Sequence, residues 1–585
     1  MTKMIAGQAL VKVLEDWGIT HIYGIPGGTI NHVIEGLYQE QDRLQYIQVR
    51  HEEVGALAAV ADAKFTGHIS AAFGSAGPGA IHLLNGLYDA KMDHIPVLAL
   101  VGQVDQAQMN TNFFQEMDEL PMFNDVAVYN HQVTTAAQIP YVINQAIRAA
   151  YQFQGPAVVI LPDDLSATEI EYTPTKTPTV VAANTTQIID PQAIQTSLDL
   201  LKAAKHPLIY AGRGLMGARD ELVQFSEQFN LPVVNTVPAT GILPTRHANA
   251  IGTTGRLGSK PGFEAVQNAD LILFLGSEFP FAGGWPKTLK IIQVNNNAFD
   301  IGKTVPIDEA VIGDAKTYLR AMIATKETLP ETAWLRLNRQ NKQNWENWLA
   351  ERADDETNGL APEAVMQQVA SMVGPNDLFG VDTGNVSEWA VRGLPLNQNQ
   401  RFAISGLYAT MGFGLPAGIA GALSRPDAQS WTFSGDGGFA MGVQDLITAV
   451  KYKLPTINVV FTNTRLGVIY EEQLENQQHL FGVELADADW AKVAEAMGAI
   501  GFTVRTKAEV AQVFDQIETL QDQGNQKPIV VNAIINREDP IRTGNVPLDP
   551  AKNDAATIAA YAKASHLDVT AQPSLGELLA AHDDH

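Results

Sequence analysis

The sequence predicts an α/β protein built of three doubly wound domains whose sheets are mostly parallel. Short apolar segments of strand length alternate with helical patterns along the whole chain, which is typical of βαβ units. In the first part of the chain such segments, at 22–25, 71–74, 97–100 and 158–161, each meet a glycine or proline at their end. A chain of 585 residues is also too long for one hydrophobic core, and its length corresponds to about three or four domains.

The apolar segments fall into three blocks, which place the expected domains at residues 1–172, 191–345 and 360–545. Residues 173–190 are rich in Thr, Pro and Ala without periodicity and predict an extended linker. A polar helix is expected at 334–352, and the polar run 354–359 after it predicts the second boundary. Residues 546–585 form a C-terminal tail that is expected to be helical from about Asn553.

Composition excludes several classes of protein. The net charge of -25 would repel nucleic acid and anionic lipid. The chain has no cysteine, which excludes disulfides, thiolate metal sites and cysteine nucleophiles. No signal peptide is visible, and the longest apolar runs, such as 95–101, are far shorter than the ~18 residues of a membrane helix. We therefore expect a cytoplasmic protein without nucleic-acid binding or stable membrane association.

The strongest local pattern is a glycine-rich turn between a strand and a helix. The predicted strand 431–434 runs into Gly435-Asp436-Gly437-Gly438, with a helix expected from about Met441. Backbone N–H groups at such a turn suit a phosphate. Asn463 follows 27 residues after Asp436, at the tip of the next predicted strand. A carboxylate, an amide oxygen, a backbone carbonyl near Arg465 and two phosphate oxygens would suit Mg²⁺. A plain turn and a capping Asn are the alternative.

This combination resembles the thiamin-diphosphate-dependent enzymes, and the resemblance covers nearly the whole chain. It implies three α/β domains, of which the first binds the aminopyrimidine of the cofactor and the third binds its diphosphate and Mg²⁺. The metal ligands would be Asp436, Asn463 and Arg465. Because the active site of that family lies between subunits, a homodimer is the smallest unit expected.

The first domain contributes an acid, since 49–56 ends a strand and opens a helix of small residues. By resemblance Glu52 faces N1′ of the pyrimidine, buried between subunits with a raised pKa, and Glu53 is structural or solvated. The alternative is an exposed glutamate favoured by the helix dipole. The resemblance implies thiamin contacts at Pro26, Gly27, Glu52, Ser75, Pro78, Asn85, Gly384, Asn385, Thr410, Met411, Gly435, Gly437, Gly438, Val468 and Ile469.

Further segments, at 23–28, 47–53, 85–90, 114–117, 409–412 and 481–483, narrow the resemblance to the pyruvate oxidases. That family carries FAD in the middle domain. It oxidises pyruvate with phosphate and O₂ to acetyl phosphate, CO₂ and H₂O₂ through a hydroxyethyl-thiamin diphosphate intermediate. The resemblance implies catalytic roles for Glu52, Phe114, Gln115 and Glu472, with Ile469 also on the substrate side and Met411 beneath the cofactor. A homotetramer is the expected assembly.

The middle block has features suited to a dinucleotide. Gly212-Arg213-Gly214-Leu215-Met216-Gly217 follows a strand and formally matches Gly-x-Gly-x-x-Gly, but no acidic residue stands near position 237 to hold a ribose. The remaining support comes from the resemblance. It implies FAD contacts at Gly212, Gly214, Thr236, Gly255, Arg256, Gly276, Ser277, Phe279, Phe281, Asn295, Asn297, Asp314 and Ala315.

Two departures from the family bear on function. Asn295-Asn296-Asn297 stands where an Asp-Ile-Asp-Pro-like turn is usual, so any bond to a ribose hydroxyl loses its charge-assisted part. A middle domain without FAD is the alternative. Val468 replaces an aromatic residue near flavin and thiazolium, and Thr383 replaces an apolar one. The substrate is therefore expected to be pyruvate or a related 2-keto acid.

Two other functions remain open at this level. A carboligase of the acetolactate synthase kind, or another thiamin-dependent 2-keto acid decarboxylase, would use the same thiamin residues and need no electron acceptor. A regulatory protein on an inactive enzyme scaffold would be expected to have lost Glu52 or the metal pair. The chain retains both.

Overall fold

The computed structural model describes residues 2–174, 188–255, 257–278, 285, 288–537, 554–556, 559 and 572–583. Three six-stranded sheets, each parallel throughout, form its framework, with helices on both faces. The predicted α/β class with three parallel-sheet domains is confirmed. Most of the predicted linker, residues 175–187, lies outside the described residues.

The first domain holds a sheet in the order β3-β2-β4-β5-β7-β6 and a separate antiparallel pair, β1 with β8. Its strands are β1 (Thr2–Ile5), β2 (His21–Gly24), β3 (Gln45–Gln48), β4 (Ser70–Gly74), β5 (Val97–Gln103), β6 (Tyr129–Gln132), β7 (Pro156–Pro162) and β8 (Glu169–Tyr172). Its helices are α1 (Ala6–Asp16), α2 (Asn31–Gln39), α3 (Glu52–Thr66), α4 (Pro78–His82), α5 (Leu84–Met92), α6 (Glu119–Phe123), α7 (Ile139–Phe153) and α8 (Asp163–Ala167).

The central domain holds a sheet in the order β11-β10-β9-β12-β13-β14. Counted from β9, this order is 3-2-1-4-5-6. Its strands are β9 (Pro207–Ala211), β10 (Val233–Asn235), β11 (Ala250–Thr253), β12 (Leu271–Leu275), β13 (Lys290–Asn295) and β14 (Glu309–Ile312). Its helices are α9 (Pro191–Ala203), α10 (Arg219–Gln228), α11 (Lys260–Asn268) and α12 (Ala315–Ala324), and α13 (Ala333–Ala353) leads out of it.

The third domain holds a sheet in the order β16-β15-β17-β18-β20-β19. Its strands are β15 (Leu378–Val381), β16 (Arg401–Ile404), β17 (Ser430–Gly435), β18 (Ile457–Thr462), β19 (Ile500–Val504) and β20 (Ile529–Ile534). Its helices are α14 (Pro362–Met372), α15 (Asn385–Gly393), α16 (Gly414–Ser424), α17 (Asp436–Gly442), α18 (Leu446–Lys451), α19 (Gly467–Glu475), α20 (Trp490–Ala496) and α21 (Lys507–Asp522).

The first and third domains share one topology. Counted from β2 and from β15, both sheets run in the order 2-1-3-4-6-5. The helices that follow the second strand in each, α3 and α16, are built mostly of small buried residues and share one apolar cluster. Since small side chains let helix axes approach closely, the two domains pack through equivalent helices.

The helix after the glycine-rich turn begins earlier than predicted. We expected it from about Met441, but α17 begins at Asp436 after an extended Gly435. The expectation was wrong because it assigned all the glycines to a loop, whereas Gly437 and Gly438 lie in the first helical turn. Gly438 has a steric reason to be there, since a Cβ at this position would lie 2.5 Å from Oδ2 of Asp382.

The C-terminal tail is described only in part. Its last helix, α22 (Leu575–Asp583), packs on the central domain, where Leu575 joins a cluster with Val266 and Trp334. Nζ of Lys260 donates to the carbonyl of Pro573. Most of the tail that was expected to be helical from about Asn553 lies outside the described residues. In the described parts of the chain, no helix is long and apolar enough to cross a membrane.

Candidate active site

Glu52 is the first residue of α3 and is buried, with 8% of its surface exposed. The preceding His51 caps the helix, because its Nδ1 accepts a hydrogen bond from the backbone N–H of Glu53 at 3.3 Å. Oε2 of Glu52 lies 2.9 Å from Nδ1 of His82. A Cβ on Gly79 would lie 3.3 Å from Oε1. One carboxylate oxygen is therefore held by a histidine, and the other borders a glycine.

His82 is a site residue that the sequence reasoning missed. It ends α4, and its ring stacks on that of His51 with centroids 4.2 Å apart. Ligand atoms of His51, Glu52 and His82 all lie within 4.8 Å of one another. The side chain of His82 is 39% exposed. Its place on the short helix that follows the Gly77-Pro78-Gly79 turn, opposite Glu52, was the signal that could have found it.

Two loops of the first domain meet at the carboxyl ends of the neighbouring strands β2 and β4. The hydroxyls of Thr29 and Ser75 are hydrogen-bonded at 2.8 Å, and Oγ1 of Thr29 accepts from the backbone N–H of Ala76. A Cβ on Gly27 would lie 2.3 Å from Oγ of Ser75. The structure therefore places Gly27 against Ser75, so that only glycine fits at position 27. Both residues are predicted to contact thiamin.

Asn85 joins the first and third domains. Its Nδ2 donates to Oε1 of Glu53 at 2.7 Å and to Oγ1 of Thr410 at 3.0 Å. Glu53 is therefore tied into the structure by a hydrogen bond. Thr410 in turn precedes Met411, so the segment expected beneath the cofactor is connected to the first domain of the same chain.

Asp436 and Asn463 follow neighbouring parallel strands, β17 and β18, whose ends pair Gly435 with Phe461. The two oxygens of Asp436 accept from the backbone N–H groups of Gly437 at 3.0 Å and Thr464 at 2.8 Å. Burial raises the pKa of Asp436 to about 6, against backbone donors that lower it. Such oxygen donors suit Mg²⁺.

The side chain of Arg465 is committed elsewhere. Its guanidinium pairs with Glu484 at 3.0 Å and lies 3.9 Å from the ring centroid of Tyr470. Its backbone N–H donates to Oδ1 of Asn463 at 3.1 Å. Only the backbone carbonyl of Arg465 thus suits the expected role as a metal ligand.

The other residues of the third domain that were predicted to contact thiamin lie on neighbouring elements. Gly384 has φ +139, a conformation that favours glycine, and Asn385 begins α15 with its Nδ2 donating to Oε1 of Glu471 at 2.7 Å. A Cβ on Gly437 would lie 3.2 Å from the terminal methyl of Met411. Met411 therefore reaches the turn that carries Asp436. Val468 and Ile469 lie in the first turn of α19.

The described residues predicted to contact FAD share one position. They follow the carboxyl ends of the strands of the central sheet, the edge at which doubly wound domains bind ligands. They are Gly212 and Gly214 after β9, Thr236 after β10, Gly255 after β11, Gly276 and Ser277 after β12, Asn295 and Asn297 at the end of β13, and Asp314 and Ala315 after β14. The predicted contacts Arg256, Phe279 and Phe281 lie outside the described residues.

Local hydrogen bonds hold these loops. The backbones of Gly212 and Gly214 pack closely on Gly276. A Cβ on Gly212 would lie 2.3 Å from the carbonyl oxygen of Gly276. Oδ1 of Asn295 accepts from the N–H of Asn297. The carboxylate of Asp314 caps α12 by accepting from the N–H of Thr317 at 2.9 Å. The asparagines that replace the usual acidic turn therefore form a turn of their own.

The residues expected on the substrate side are mostly on the surface of the single chain. Phe114 is 77% exposed, and Gln115 is exposed with a positive φ of 62°. The carboxylate of Glu116 holds their loop by accepting from the N–H groups of Thr111 and Phe113 at 3.1 Å. Ile469 and Glu472 lie on α19, in the third domain.

The site residues form two groups, one on each of the two domains with the shared topology. Between the described residues, no hydrogen bond or ion pair joins Glu52 to Asp436 or to Asn463. The two groups are joined indirectly by Asn85 and Thr410, and by the backbone N–H of Arg50, which donates to Asp445 at 2.7 Å.

A second buried acid, Glu119, supports the loop that carries Pro78. It is almost fully buried at the start of α6, and its Oε1 accepts from the N–H of Gly77 at 3.2 Å. Its Oε2 has no hydrogen-bond partner in the described part of the chain. Burial raises the pKa of Glu119 to about 8, so the carboxyl group is mostly protonated at neutral pH.

Comparison with known proteins assigns the three domains to one family of models. The model of the thiamine pyrophosphate enzyme N-terminal TPP binding domain matches residues 4–122, the central domain matches 194–322, and the C-terminal TPP binding domain matches 382–533. The three matches follow the order of the three parallel sheets.

Curated relatives match nearly the whole chain. The pyruvate oxidase of Lactiplantibacillus plantarum is 41% identical over 96% of this chain and 93% of its own length. The acetolactate synthase large subunit of Corynebacterium glutamicum is 28% identical over 92% of this chain and 87% of its own. Acetolactate synthase isozyme 1 large subunit of Escherichia coli is 28% identical over 92% of this chain and 95% of its own length.

The raised pKa of Glu119 predicts a pH-dependent cost in stability. The folded state keeps this proton up to about pH 8, whereas the unfolded chain releases it near pH 4.5. The stability contributed by this group therefore falls as the pH rises between these values. Glu119→Gln keeps the acceptor for Gly77 and removes the charge, so above pH 8 we expect it to be more stable than the wild type by up to a few kcal/mol.

Urea unfolding at a series of pH values checks this prediction, with Glu171→Gln, an exposed glutamate on β8, as the matched control. Below pH 4.5 the wild type and Glu119→Gln should be nearly equal in stability. A constant difference between them across the whole range would contradict the assignment.

Proposed function

The chain belongs to the thiamine pyrophosphate enzymes, in their pyruvate oxidase family, and from this premise we propose that it oxidises pyruvate with phosphate and O₂ to acetyl phosphate, CO₂ and H₂O₂. The observation that carries the proposal is the central sheet. Its 3-2-1-4-5-6 order is that of dinucleotide-binding domains, and it stands between two thiamine pyrophosphate binding domains. An electron carrier beside a decarboxylating cofactor favours oxidation.

The residues present fit thiamin diphosphate and Mg²⁺. Asp436, Asn463 and the carbonyl of Arg465 would hold the metal. Gly435, where a Cβ would meet open space, would leave room for the diphosphate. When bound, the cofactor supplies an electron sink that lets the carboxylate of a 2-keto acid leave as CO₂.

Glu52 would exchange a proton with N1′ of the pyrimidine. Nδ1 of His82, 2.9 Å from Oε2 of Glu52, holds that oxygen in place and leaves Oε1, beside Gly79, as the oxygen that exchanges the proton. Burial of the carboxyl group limits competition from water, and the fixed orientation keeps the proton transfer short. We assign to His82 the positioning of Glu52.

The residues of the central domain likewise fit FAD. The strand-end loops carry close glycine contacts at Gly212, Gly214 and Gly276, and a Cβ on Gly255 would meet open space. Loops of this kind suit a dinucleotide pyrophosphate. When bound, FAD would accept two electrons and return them to O₂. The turn of Asn295 and Asn297 offers neutral groups to the adenosine half, so the affinity for FAD should be lower than with an acidic turn.

The catalytic unit would be a pair of chains. Phe114 and Phe481 are 77% and 84% exposed in the single chain, and Ile469 is exposed as well. These residues carry or border the expected substrate side, and covering their apolar side chains would be favourable. We propose that a second copy covers it, which makes a homodimer the smallest active form and a homotetramer its expected assembly.

The substrate would meet Phe114 and Gln115 from one chain and Ile469 and Glu472 from the other. Val468 and Thr383 shape the same space, and Val468 leaves more room than an aromatic residue would. We therefore propose that the pocket accepts pyruvate and also somewhat larger 2-keto acids.

The test of the function is to purify the protein and record its absorption spectrum. We then assay peroxide formation from pyruvate with and without phosphate, together with acetolactate. The expected result is a bound flavin with peroxide and acetyl phosphate formed in equal amounts when phosphate is present. Absence of flavin together with acetolactate formation would replace the proposal with the carboligase function of the more distant relatives.

The role of Glu52 predicts a difference between two adjacent glutamates. Glu52→Gln should lower turnover by about 10²-fold or more, because general acid–base catalysis contributes on this scale, while Mg²⁺ and thiamin diphosphate still bind. Glu53→Gln, the matched control, should retain most of the activity. Turnover is followed by peroxide release and cofactor binding by tryptophan fluorescence. Equal losses in both variants would refute the assignment.

The pocket proposal predicts a change in specificity. Val468→Phe should lower kcat/KM for 2-ketobutyrate relative to pyruvate by roughly tenfold, because one methylene in a confined pocket is worth about 1–3 kcal/mol. Parallel peroxide assays with both substrates measure this ratio. Ile188→Phe, the same kind of enlargement at an exposed position before α9, serves as the control. An unchanged ratio in Val468→Phe would place the specificity elsewhere.

A further inference from the structure

Asp382 is a fully buried acid at the carboxyl end of β15, with 0% of its surface exposed. Its backbone N–H donates to the carbonyl of Phe433 at 2.8 Å, which anchors it to β17, the strand that leads to Asp436. Since a buried carboxylate is costly without hydrogen bonds, its partners explain why it is kept there.

One oxygen, Oδ1, accepts from three backbone N–H groups. They belong to Thr383 at 3.0 Å, Gly412 at 2.8 Å and Phe413 at 3.3 Å. Thr383 precedes Gly384, and Gly412 follows Met411 directly. The carboxylate therefore holds two of the segments that carry expected thiamin residues.

The other oxygen, Oδ2, faces the third segment. It has no hydrogen-bond partner in the part of the chain that the structure describes, and a Cβ on Gly438 would lie only 2.5 Å from it. Gly438 lies in the first turn of α17, two residues after Asp436. A single carboxylate thus lies between the segment that carries Met411 and the turn that carries the metal ligand.

The segment 405–413 is held at its other end by a different acid. Oδ2 and Oδ1 of Asp93 accept from the N–H groups of Gly406 at 3.0 Å and Leu407 at 2.9 Å, and Nζ of Lys64 binds both Asp93 and the carbonyl of Ile404. Between these two anchors Ala409 has a positive φ of 57°. Met411 therefore lies in a backbone segment whose shape depends on hydrogen bonds to two buried carboxylates.

We propose that Asp382 is a positioning residue for the decarboxylation, acting through Met411 by fixing the 405–413 segment against the turn of Asp436. This inference rests on the proposed use of thiamin diphosphate. The ionised carboxylate makes these hydrogen bonds charge-assisted and hence stronger than neutral ones. Asp382→Asn retains one acceptor oxygen, removes the charge and brings an NH₂ group into the space beside Gly438.

The first test is made on the cofactor-free protein. Amide hydrogen exchange of Gly412 and Phe413 should become roughly tenfold faster or more in Asp382→Asn, because hydrogen bonds to a charged group are lost. The matched control is Asp377→Asn at the opposite end of β15, where the carboxylate accepts from Trp431 Nε1 at 2.9 Å and from the N–H of Gly374. It should leave exchange at Gly412 unchanged. Unchanged exchange in Asp382→Asn overturns the proposal.

The second test is a double-mutant cycle with Met411→Ala in the holoenzyme. We expect Asp382→Asn to lower kcat by roughly tenfold or more with KM for pyruvate unchanged, and the double variant to be no slower than Met411→Ala alone. Asp377→Asn should leave kcat unchanged. Multiplicative losses in the cycle overturn the proposal.

Two outcomes distinguish a failure of this inference from a failure of the proposed function. An inactive wild type with thiamin diphosphate bound would overturn the proposed function, whereas an active wild type with multiplicative losses would overturn only the role of Asp382. If Asp382→Asn does not fold, Gly438→Ala is used, because its Cβ displaces the same carboxylate. The same exchange increase is then expected, and its absence overturns the proposal.

Discussion

The packing of α3 on α16 is the constraint on which the rest of the structure depends. These helices are equivalent elements of two domains with one strand order, and their small buried residues form a shared apolar cluster. At one end of α3 stands Glu52. At its other end Lys64 ties the helix to Asp93 and to Ile404 at the end of β16. One helix therefore sets both the position of the acid and the start of the segment that carries Met411.

Buried carboxylates recur around the candidate site, and each is stabilised by a histidine or by backbone N–H groups. Glu52 has a histidine, Asp436 has the backbone N–H groups of a strand end and a helix start, and Asp382 has three backbone N–H groups. Because buried charges are tolerated only when they are paired or hydrogen-bonded, these contacts fix the local backbone as well. The same hydrogen bonds thus stabilise the buried charges and hold the backbone segments around them.

Patterns that are local in sequence predicted most of the fold, whereas the role of Glu52 was inferred from resemblance. Alternating apolar strands indicated parallel sheets, and the Asp436 turn with Asn463 indicated neighbouring strand ends, which the pairing of β17 with β18 confirms. Edge strands such as β6 (Tyr129–Gln132) and β14 (Glu309–Ile312) are partly polar and carry no clear apolar run. His82 and Asp382 were not predicted, because their roles depend on contacts with residues 30 positions or more away. The early start of α17 depends on such a contact too, between Gly438 and Asp382.

We propose that a thiamin-dependent site is completed by two copies of the chain, with Glu52 from one and Asp436 from the other. Subunit complementation tests it most directly: Glu52→Gln and Asp436→Ala chains, each inactive alone, are co-expressed and their pyruvate-dependent peroxide formation is measured. A mixed dimer would contain one intact site and one doubly altered site, so random pairing predicts a return of about a quarter of the wild-type activity. No recovery from mixed dimers, isolated by two affinity tags and shown to bind the cofactor, would place the whole site within one chain and contradict the account.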